Sequence, residues 1–343
     1  MIDDLKYIHQ RDPADALGVA GKQSSQLQYA FNIPKVTDKP IANIVLAGMG
    51  GSAWPGLFVQ AWPGVSVPFE IVRNYDLPAY VDEKTLFISS SYSGNTEETL
   101  AAIEAAAAKN AQIVVMAAGG ELAKIATDRG YPLFSIPSGF QPRMSSMYFW
   151  AALVQLLEPL GLVNAGSAKT LSEAGDWLAQ QGATWKPDVA TKDNFAKQLA
   201  QECMGRAIIV YSGPLLFPAA NKWKICFNEN AKNLSWCNTF PEFNHNEFIG
   251  WSSHPVDKPY AVIEIRSNLE HERVQKRFEV SDRLLSGMRP APEVVIPEGE
   301  NLLQQLLWTM SLGDHVSIYL ALLNGVDPTP VGLVEKLKTA LNE

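Results

Sequence analysis

The chain reads as an α/β protein: two mostly parallel sheets flanked by helices, doubly wound in the flavodoxin-like manner. Three observations predict this. Short apolar runs of strand length alternate with helical segments, which is the pattern of βαβ units. The alternation occurs twice, on either side of a polar stretch, and 343 residues suit two domains at roughly 150 residues each. The segments IVLAGMGGS and IIVYSGPLL both read strand, glycine turn, helix, an echo too short to establish a duplication.

In the first half, residues 41–48 form an apolar strand ending in glycines. Residues 52–62 follow as a helix, with Pro55 tolerable in its first turn. Strands are expected at 69–72 and 85–90, the second running into the polar turn SYSGNT. Residues 96–109 are alanine-rich with Glu97 and Glu98 in the first turn, a strong helix. A strand at 112–117, a helix at 122–129 and a strand at 131–136 continue the alternation, and a buried helix at 143–157 is stopped by Pro159. The second half repeats the scheme: a strand at 206–212, Gly213, a helix to about residue 232, and strands at 260–266 and 293–296. Helices at 301–323 and 331–341 end the chain. Residues 167–193 connect the halves, so the domains are expected at 1–165 and 166–343.

The apolar fraction of 47% is enough to fill two cores. A formal net charge of −8 argues against a nucleic-acid partner, which requires a basic surface. Cys203, Cys226 and Cys237 have neither metal-ligand spacing nor an even count, so a reducing compartment is expected. The polar N-terminal segment lacks an apolar signal core, and apolar runs such as 113–118 are strand-length, so a cytoplasmic protein without a membrane partner is expected. His9, His254, His271 and His315 show no mutual spacing for a metal. His315, within a long apolar helix, reads as a packing or interface residue, and the tryptophans as packing residues.

Two strand-to-helix turns carry unusual chemistry. The first is Gly48-Met49-Gly50-Gly51-Ser52, the second Ser91-Tyr92-Ser93-Gly94-Asn95-Thr96. Glycines let backbone approach an anion closely, hydroxyls donate to its oxygens, and a helix N-terminus adds free N–H groups and a favourable dipole. Ser91, Ser93 and Thr96, with Ser52 from the neighbouring turn, thus form a charge-free phosphate cradle at the carboxyl ends of the strands, where open parallel sheets bind ligands. Each turn also has a plainer reading. A glycine turn alone can close a loop or bind a dinucleotide, and Thr96 can serve only as a helix N-cap. The dinucleotide reading lacks its third glycine, with Ala53 in that place, and lacks the acidic residue after the next strand, where Val72-Arg73-Asn74 stands.

The SxSGxT turn resembles the phosphate-binding turn of the SIS (sugar isomerase) domain. More narrowly, GMGGS, SSYSGNTEET, QPR, NEN, FNHNEF and GDHVSIYLALLNGVDPTPV, in this order, resemble the bifunctional phosphoglucose/phosphomannose isomerase family along nearly the whole chain. The resemblance implies two SIS domains, a homodimer and no metal or other cofactor. It also implies a sugar-phosphate substrate, with glucose 6-phosphate and often mannose 6-phosphate converted to fructose 6-phosphate. Residue by residue, it implies phosphate and substrate binding by Gly50, Gly51, Ser52, Ser91, Ser93 and Thr96. Arg143 is then the enediolate-stabilising arginine, and Glu229 the proton-transferring base. His245 is the ring-opening histidine contributed by the partner subunit, and Lys338, or else Lys336, the terminal-helix lysine. Glu242 and Glu247 flank the histidine and are placed to orient it or to touch substrate. The chain departs from the family pattern after the arginine, reading Met144-Ser145-Ser146-Met147 where small residues and an Ala-Leu-Gly type of turn are usual, which leaves substrate preference open.

The chemistry fits these residue types. Moving a proton between C1 and C2 of an open-chain sugar phosphate needs a carboxylate base, a fixed cation for the enediolate oxygens, and an acid–base pair to open the ring. A non-catalytic sugar-phosphate sensor and an isomerase of an amino-sugar phosphate are the alternatives. The sensor predicts the cradle without the Glu, His and Lys set, and often an attached DNA-binding segment; no helix-turn-helix or basic arm is evident.

Overall fold

The computed structural model describes residues 1–32, 34–253 and 258–341; His254 lies outside the described residues. The chain divides into two compact units, Lys22–Ala179, and Met1–Gly21 together with Gln180–Glu343. The expected boundary near residue 165 differs from this division in two places. The helix Ser167–Gly182 belongs mostly to the first unit, and the N-terminal segment clusters with the second half of the chain.

The anchors of that segment are specific. It holds α1 (Leu5–Arg11) and α2 (Ala16–Lys22). The Tyr7 hydroxyl donates to the Leu322 carbonyl at 2.7 Å, and the Arg11 guanidinium to that of Gly325 at 3.2 Å. Lys197 is fully buried, and its ammonium donates to Asp3, to the Pro187 carbonyl and to the Val189 carbonyl, each at 2.8 Å. The Lys197 hydrogen bond holds the Asp3 carboxyl below its ordinary value. Asp3→Asn should therefore cost about 1 kcal/mol, modest because this carboxylate is half exposed and screened. The Asp3 value is lowered in the fold, so its stabilisation is present above the ordinary carboxylate value and is lost as pH falls through the lowered one. Denaturant titrations of both proteins should show the gap at pH 7 and its disappearance at strongly acid pH.

In the unit Lys22–Ala179, five parallel strands are β1 (Asn43–Ala47), β2 (Phe69–Val72), β3 (Thr85–Ser91), β4 (Gln112–Ala117) and β5 (Leu133–Ser135). They stand in the order β2-β1-β3-β4-β5, the flavodoxin-like order. The helices are α3 (Trp54–Ala61), α4 (Glu97–Ala108), α5 (Gly120–Arg129), α6 (Ser146–Leu157) and α7 (Ser167–Gly182). Val45, Phe87 and Val115 share one sheet face and pack with Ala102, Ile103 and Ala106 of α4 and Leu122 and Ala126 of α5. Strand alternation turns Ile44, Leu46, Leu86 and Ile88 to the other face. There α3 lies against β2, with Gly56 allowing the Ile71 side chain to approach, and Phe58 of α3 packs on Trp150 of α6 at 4.8 Å. All seven residues of the central strand β3 are buried.

The second unit carries α8 (Phe195–Glu202), β6 (Ala207–Ser212), α9 (Phe217–Glu229), β7 (Ser235–Thr239), α10 (Glu247–Gly250), β8 (Tyr260–Ile265), α11 (Glu272–Leu284), β9 (Glu293–Val295), α12 (Leu302–Leu323) and α13 (Gly332–Leu341). Its four parallel strands run β7-β6-β8-β9. This is the strand order of the first sheet without its fifth strand.

Sequence reading missed α1, α2, α8, β7, α10 and α11. Strand β7 (SWCNT) is a half-exposed edge strand with no apolar run to announce it. Helix α11 is strongly polar and buries only Val274, Phe278 and Ser281. Helix α12, contrary to the expectation of strand-length apolar runs only, has the length and apolarity to cross a membrane. It is instead a core helix, with 94% of its most apolar window buried inside the protein. Trp223 of α9 donates to the Thr309 carbonyl of α12 at 2.6 Å, and its indole lies where Gly313 has no side chain. Asn230 donates to Ser317 at 2.9 Å. Lys222 pairs with Asp314, both fully buried, and Cys226 lies beside both. His315 is fully buried, with its Nδ1 2.8 Å from the Ser311 carbonyl and its ring 5.4 Å from that of Trp185, so it is a packing residue. The tryptophans pack as expected except Trp236 on the edge strand, which is exposed.

Candidate active site

The switch point of the first sheet lies between β1 and β3, whose carboxyl ends carry the two hydroxyl- and glycine-rich turns. The turns are joined through Ser52. Its buried hydroxyl accepts from the Tyr92 N–H at 2.9 Å, and its carbonyl accepts from the Ser90 hydroxyl at 2.8 Å. Ser91 and Thr96 hydroxyls lie 2.9 Å apart, and Ser91 also accepts from the Gly94 N–H at 3.1 Å. Ser93 stands exposed on the same turn and accepts from the Asn95 N–H at 3.2 Å. Thr96 occupies the N-cap position of α4, yet its side chain makes no capping bond. Its hydroxyl faces Ser91 instead, leaving the N–H groups of the first turn of α4 without a side-chain cap, the arrangement an anion requires. The structure therefore brings Ser52, Ser91 and Thr96 together.

Residues to which the sequence reading assigned no individual role hold this turn in shape. Asn95 accepts from the Glu121 N–H at 2.9 Å, Gly94 O from the Leu122 N–H at 2.9 Å, and Tyr92 O from the Ala118 N–H at 3.1 Å. Gly94 has φ +70°, and a Cβ there would stand 1.8 Å from the Gly119 carbonyl oxygen. Gly94→Ala should thus displace the cradle and lower kcat/KM for a sugar phosphate by about 10²-fold. Steady-state kinetics, with circular dichroism as a fold control, tests this. The Asn and Gly of SGNT are visible in the sequence, but their partners Gly119 and Glu121 lie beyond a helix and a strand, out of reach of local reasoning.

A third loop completes the site. The Tyr92 hydroxyl accepts from the Phe140 N–H at 2.8 Å, and burial raises this phenol above its ordinary value, so it stays protonated. Beyond it, a 3₁₀ turn, Pro142–Met144, presents Arg143, and α6 begins only at Ser146, later than the expected residue 143. Gly51 abuts this turn: a Cβ would meet the Pro142 carbonyl at 2.9 Å and the Arg143 N at 3.1 Å. Arg143 is buried, with its guanidinium 3.3 Å from the Gln141 side-chain oxygen. Gln26 donates to the Met144 carbonyl at 2.7 Å. The residues that depart from the family pattern serve the same turn: Ser145 donates to the Pro142 carbonyl at 2.8 Å and Ser146 to that of Arg143 at 3.4 Å.

The second unit carries the other expected residues. Glu229 is the last residue of α9 and is half-buried. His245 is exposed at the end of the turn Glu242–His245, and Lys336 and Lys338 are exposed on α13. The two glutamates flanking the histidine are taken up elsewhere. Glu242 accepts from Asn246 at 2.5 Å, while Glu247 accepts from the Tyr211 hydroxyl and from Asn238 at 2.7 Å. Burial, with Glu247 adding to it, pushes the Tyr211 phenol far above its ordinary value, so it keeps the proton it donates. Among the described residues no group of three or more His, Cys, Asp or Glu side chains is placed to hold a metal ion.

Flavodoxin-like strand order with uncharged, hydroxyl-rich turns meeting at the switch point defines an α/β protein with a candidate anion site there. Comparison with known proteins narrows this. Residues 192–341 match the family described as bacterial phospho-glucose isomerase C-terminal SIS domain. Over 328 residues the chain is 35% identical to a bifunctional phosphoglucose/phosphomannose isomerase of Caldicellulosiruptor bescii, covering 93% of this chain and 96% of that one. With the enzyme of the same name from Aquifex aeolicus it shares 32% over 307 residues, 89% and 92% of the two chains. A D-glucosamine-6-phosphate 4-epimerase of Sulfolobus acidocaldarius is 35% identical over 233 residues, 68% and 71% of the two chains. In fold the chain is similar to tagatose-6-phosphate ketose/aldose isomerase from Escherichia coli, with a TM-score of 0.64, 18% identity and 84% of each chain covered. The chain belongs to the bifunctional phosphoglucose/phosphomannose isomerase family, and it is a sugar-phosphate isomerase.

Proposed function

We propose that the protein interconverts glucose 6-phosphate and mannose 6-phosphate with fructose 6-phosphate, without a metal, by proton transfer between C1 and C2 through a cis-enediolate. The observation that carries the reading is the cradle of Ser52, Ser91 and Thr96 beside the turn that presents Arg143. In this scheme the cradle holds the phosphate monoester, and its binding energy fixes the reacting carbons. Glu229 takes the proton from one carbon and returns it to its neighbour. Arg143 stabilises the enediolate oxygens without changing its own protonation. His245 and Lys338 open the hemiacetal ring.

We further propose that it works in the cytoplasm as a homodimer in which His245 serves the partner subunit. The exposure of His245 supports this, as does the apolar stripe Leu333, Leu337 and Leu341 on α13, which lies open in the single chain.

The test is a coupled assay of the purified protein on both hexose phosphates, with and without a chelator. Turnover that survives chelation and incorporates solvent deuterium at C2 is expected; loss of turnover on chelation would overturn the metal-free scheme. The epimerase relative favours one second reading, action on an amino-sugar phosphate. Glucosamine 6-phosphate belongs in the same assay, and turnover of it alone would replace the hexose assignment.

A further inference from the structure

His245 stands on a turn whose other residues are fastened. Phe243 is buried, with the ring centroids of Tyr211, Phe240 and Phe248 at 4.6, 4.8 and 5.9 Å. Asn244 donates to the Ser281 hydroxyl at 2.9 Å and accepts from the Arg277 guanidinium at 3.2 Å, which ties it to α11. Asn246 donates to Glu242 at 2.5 Å and accepts from the Glu247 N–H at 2.6 Å, closing the turn on itself. The imidazole is exposed and makes no hydrogen bond or ion pair among the described residues.

Glu247, two residues on, joins this turn to the sheet. One carboxylate oxygen accepts from the Tyr211 hydroxyl, the other from Asn238 at 2.7 Å. Tyr211 of β6 and Asn238 of β7 are register partners, so a single carboxylate is gripped by two paired strands. A charged acceptor strengthens both bonds. Tyr211 is fully buried, and its hydroxyl also accepts from the indole N–H of Trp251 at 3.1 Å. With its one proton given to Glu247 and a lone pair engaged by Trp251, that hydroxyl has a fixed orientation. No bond joins Glu247 to the imidazole, so its hold on His245 runs through the chain.

We propose that Tyr211 is a positioning residue for ring opening: through Glu247 it fixes the turn that presents His245, and with it the place of the imidazole. This rests on the reading of His245 given above. Ring opening breaks the bond between C1 and the ring oxygen. The C1 hydroxyl loses a proton, the ring oxygen gains one, and nothing is oxidised. Reclosure yields either anomer, so this step alone appears as exchange between the α and β anomers of glucose 6-phosphate, with no proton leaving carbon.

Exchange NMR on equilibrated glucose 6-phosphate, with steady-state kinetics on the full chain, tests the proposal. Tyr211→Phe keeps the buried ring and loses the O–H. Its catalysed anomer exchange should fall about tenfold, as a small misplacement of an acting group does. KM and inhibition by inorganic phosphate should hold. Glu247→Gln sets an amide N–H₂ against the Asn238 donor and should also lower exchange. The two losses should not multiply when combined, because both act through one link. His245→Ala is the control. Exchange that survives it removes the imidazole from ring opening, and the role of Tyr211 with it. Exchange that is lost in His245→Ala but unchanged in Tyr211→Phe overturns the proposal alone. So does a Tyr211→Phe whose KM and phosphate inhibition worsen in step with exchange, the mark of a general structural loss. If Tyr211→Phe fails to fold, unchanged exchange in Glu247→Gln overturns it equally.

Discussion

Glu229→Gln is expected to lower kcat for hexose-phosphate isomerisation by about 10²–10⁴-fold, the range that general-base catalysis supplies, with KM little changed. The amide keeps the shape of the carboxylate but cannot accept the proton from carbon. A structural role predicts a different outcome. Glu229 ends α9, where the negative pole of the helix disfavours a carboxylate by about 0.3–1 kcal/mol. A structural role would therefore show as a fall in the thermal midpoint large enough to outweigh that dipole gain. Activity that collapses while stability holds would identify a residue kept for chemistry against the preference of its helix. Solvent deuterium entry at C2, followed by NMR, should fall in parallel with kcat. Unaltered turnover in this variant would remove Glu229 from the mechanism.

The largest loss of stability is expected from Asp314→Ala. Asp314 faces Lys222 across the α9–α12 interface, and both side chains are wholly buried. Burial pushes the Lys222 value down, but the Asp314 carboxylate outweighs it and holds the lysine above its ordinary value, so it is charged. Cutting away the aspartate leaves that ammonium in the core with its main counter-charge gone, which costs about 3–5 kcal/mol. At about 2–4 °C per kcal/mol for a chain of this size, calorimetry should show a large drop in the midpoint. Removing both charges, as in Lys222→Met with Asp314→Leu, should return most of the loss, because well-packed apolar groups replace a buried pair at little cost. A double variant as unstable as the single one would show that the pair does more than balance itself.

How much of this was legible in the sequence depended on how local the signal is. Strands β1, β3, β4, β6 and β8 are apolar runs, and their strand length and bounding turn residues mark them. The edge strand β7 carries Ser235, Asn238 and Thr239, and only its pairing with β6 makes it a strand. Ser52, Ser91 and Thr96 were legible because glycines and hydroxyls cluster after strands. Tyr92, Asn95 and Gln26 were not, because their partners Phe140, Glu121 and Met144 are brought to them by the sheet and not by the chain. That the N-terminal segment joins the unit formed by the second half of the chain was illegible for the same reason. Nothing near Asp3 announces a buried ammonium at Lys197, far along the chain.

The contact between Gly51 and the Pro142–Arg143 backbone sets a limit on how this enzyme can be altered. The glycine turn and the loop that carries the guanidinium share a wall with no side chain in it to trim or enlarge, so neither can be retuned there without moving the other. Variation in sugar preference is more readily sought a step away, at Ser145 and Ser146. Their hydroxyls fasten that wall from behind, bonding the Pro142 and Arg143 carbonyls and none of the residues of the two hydroxyl-rich turns.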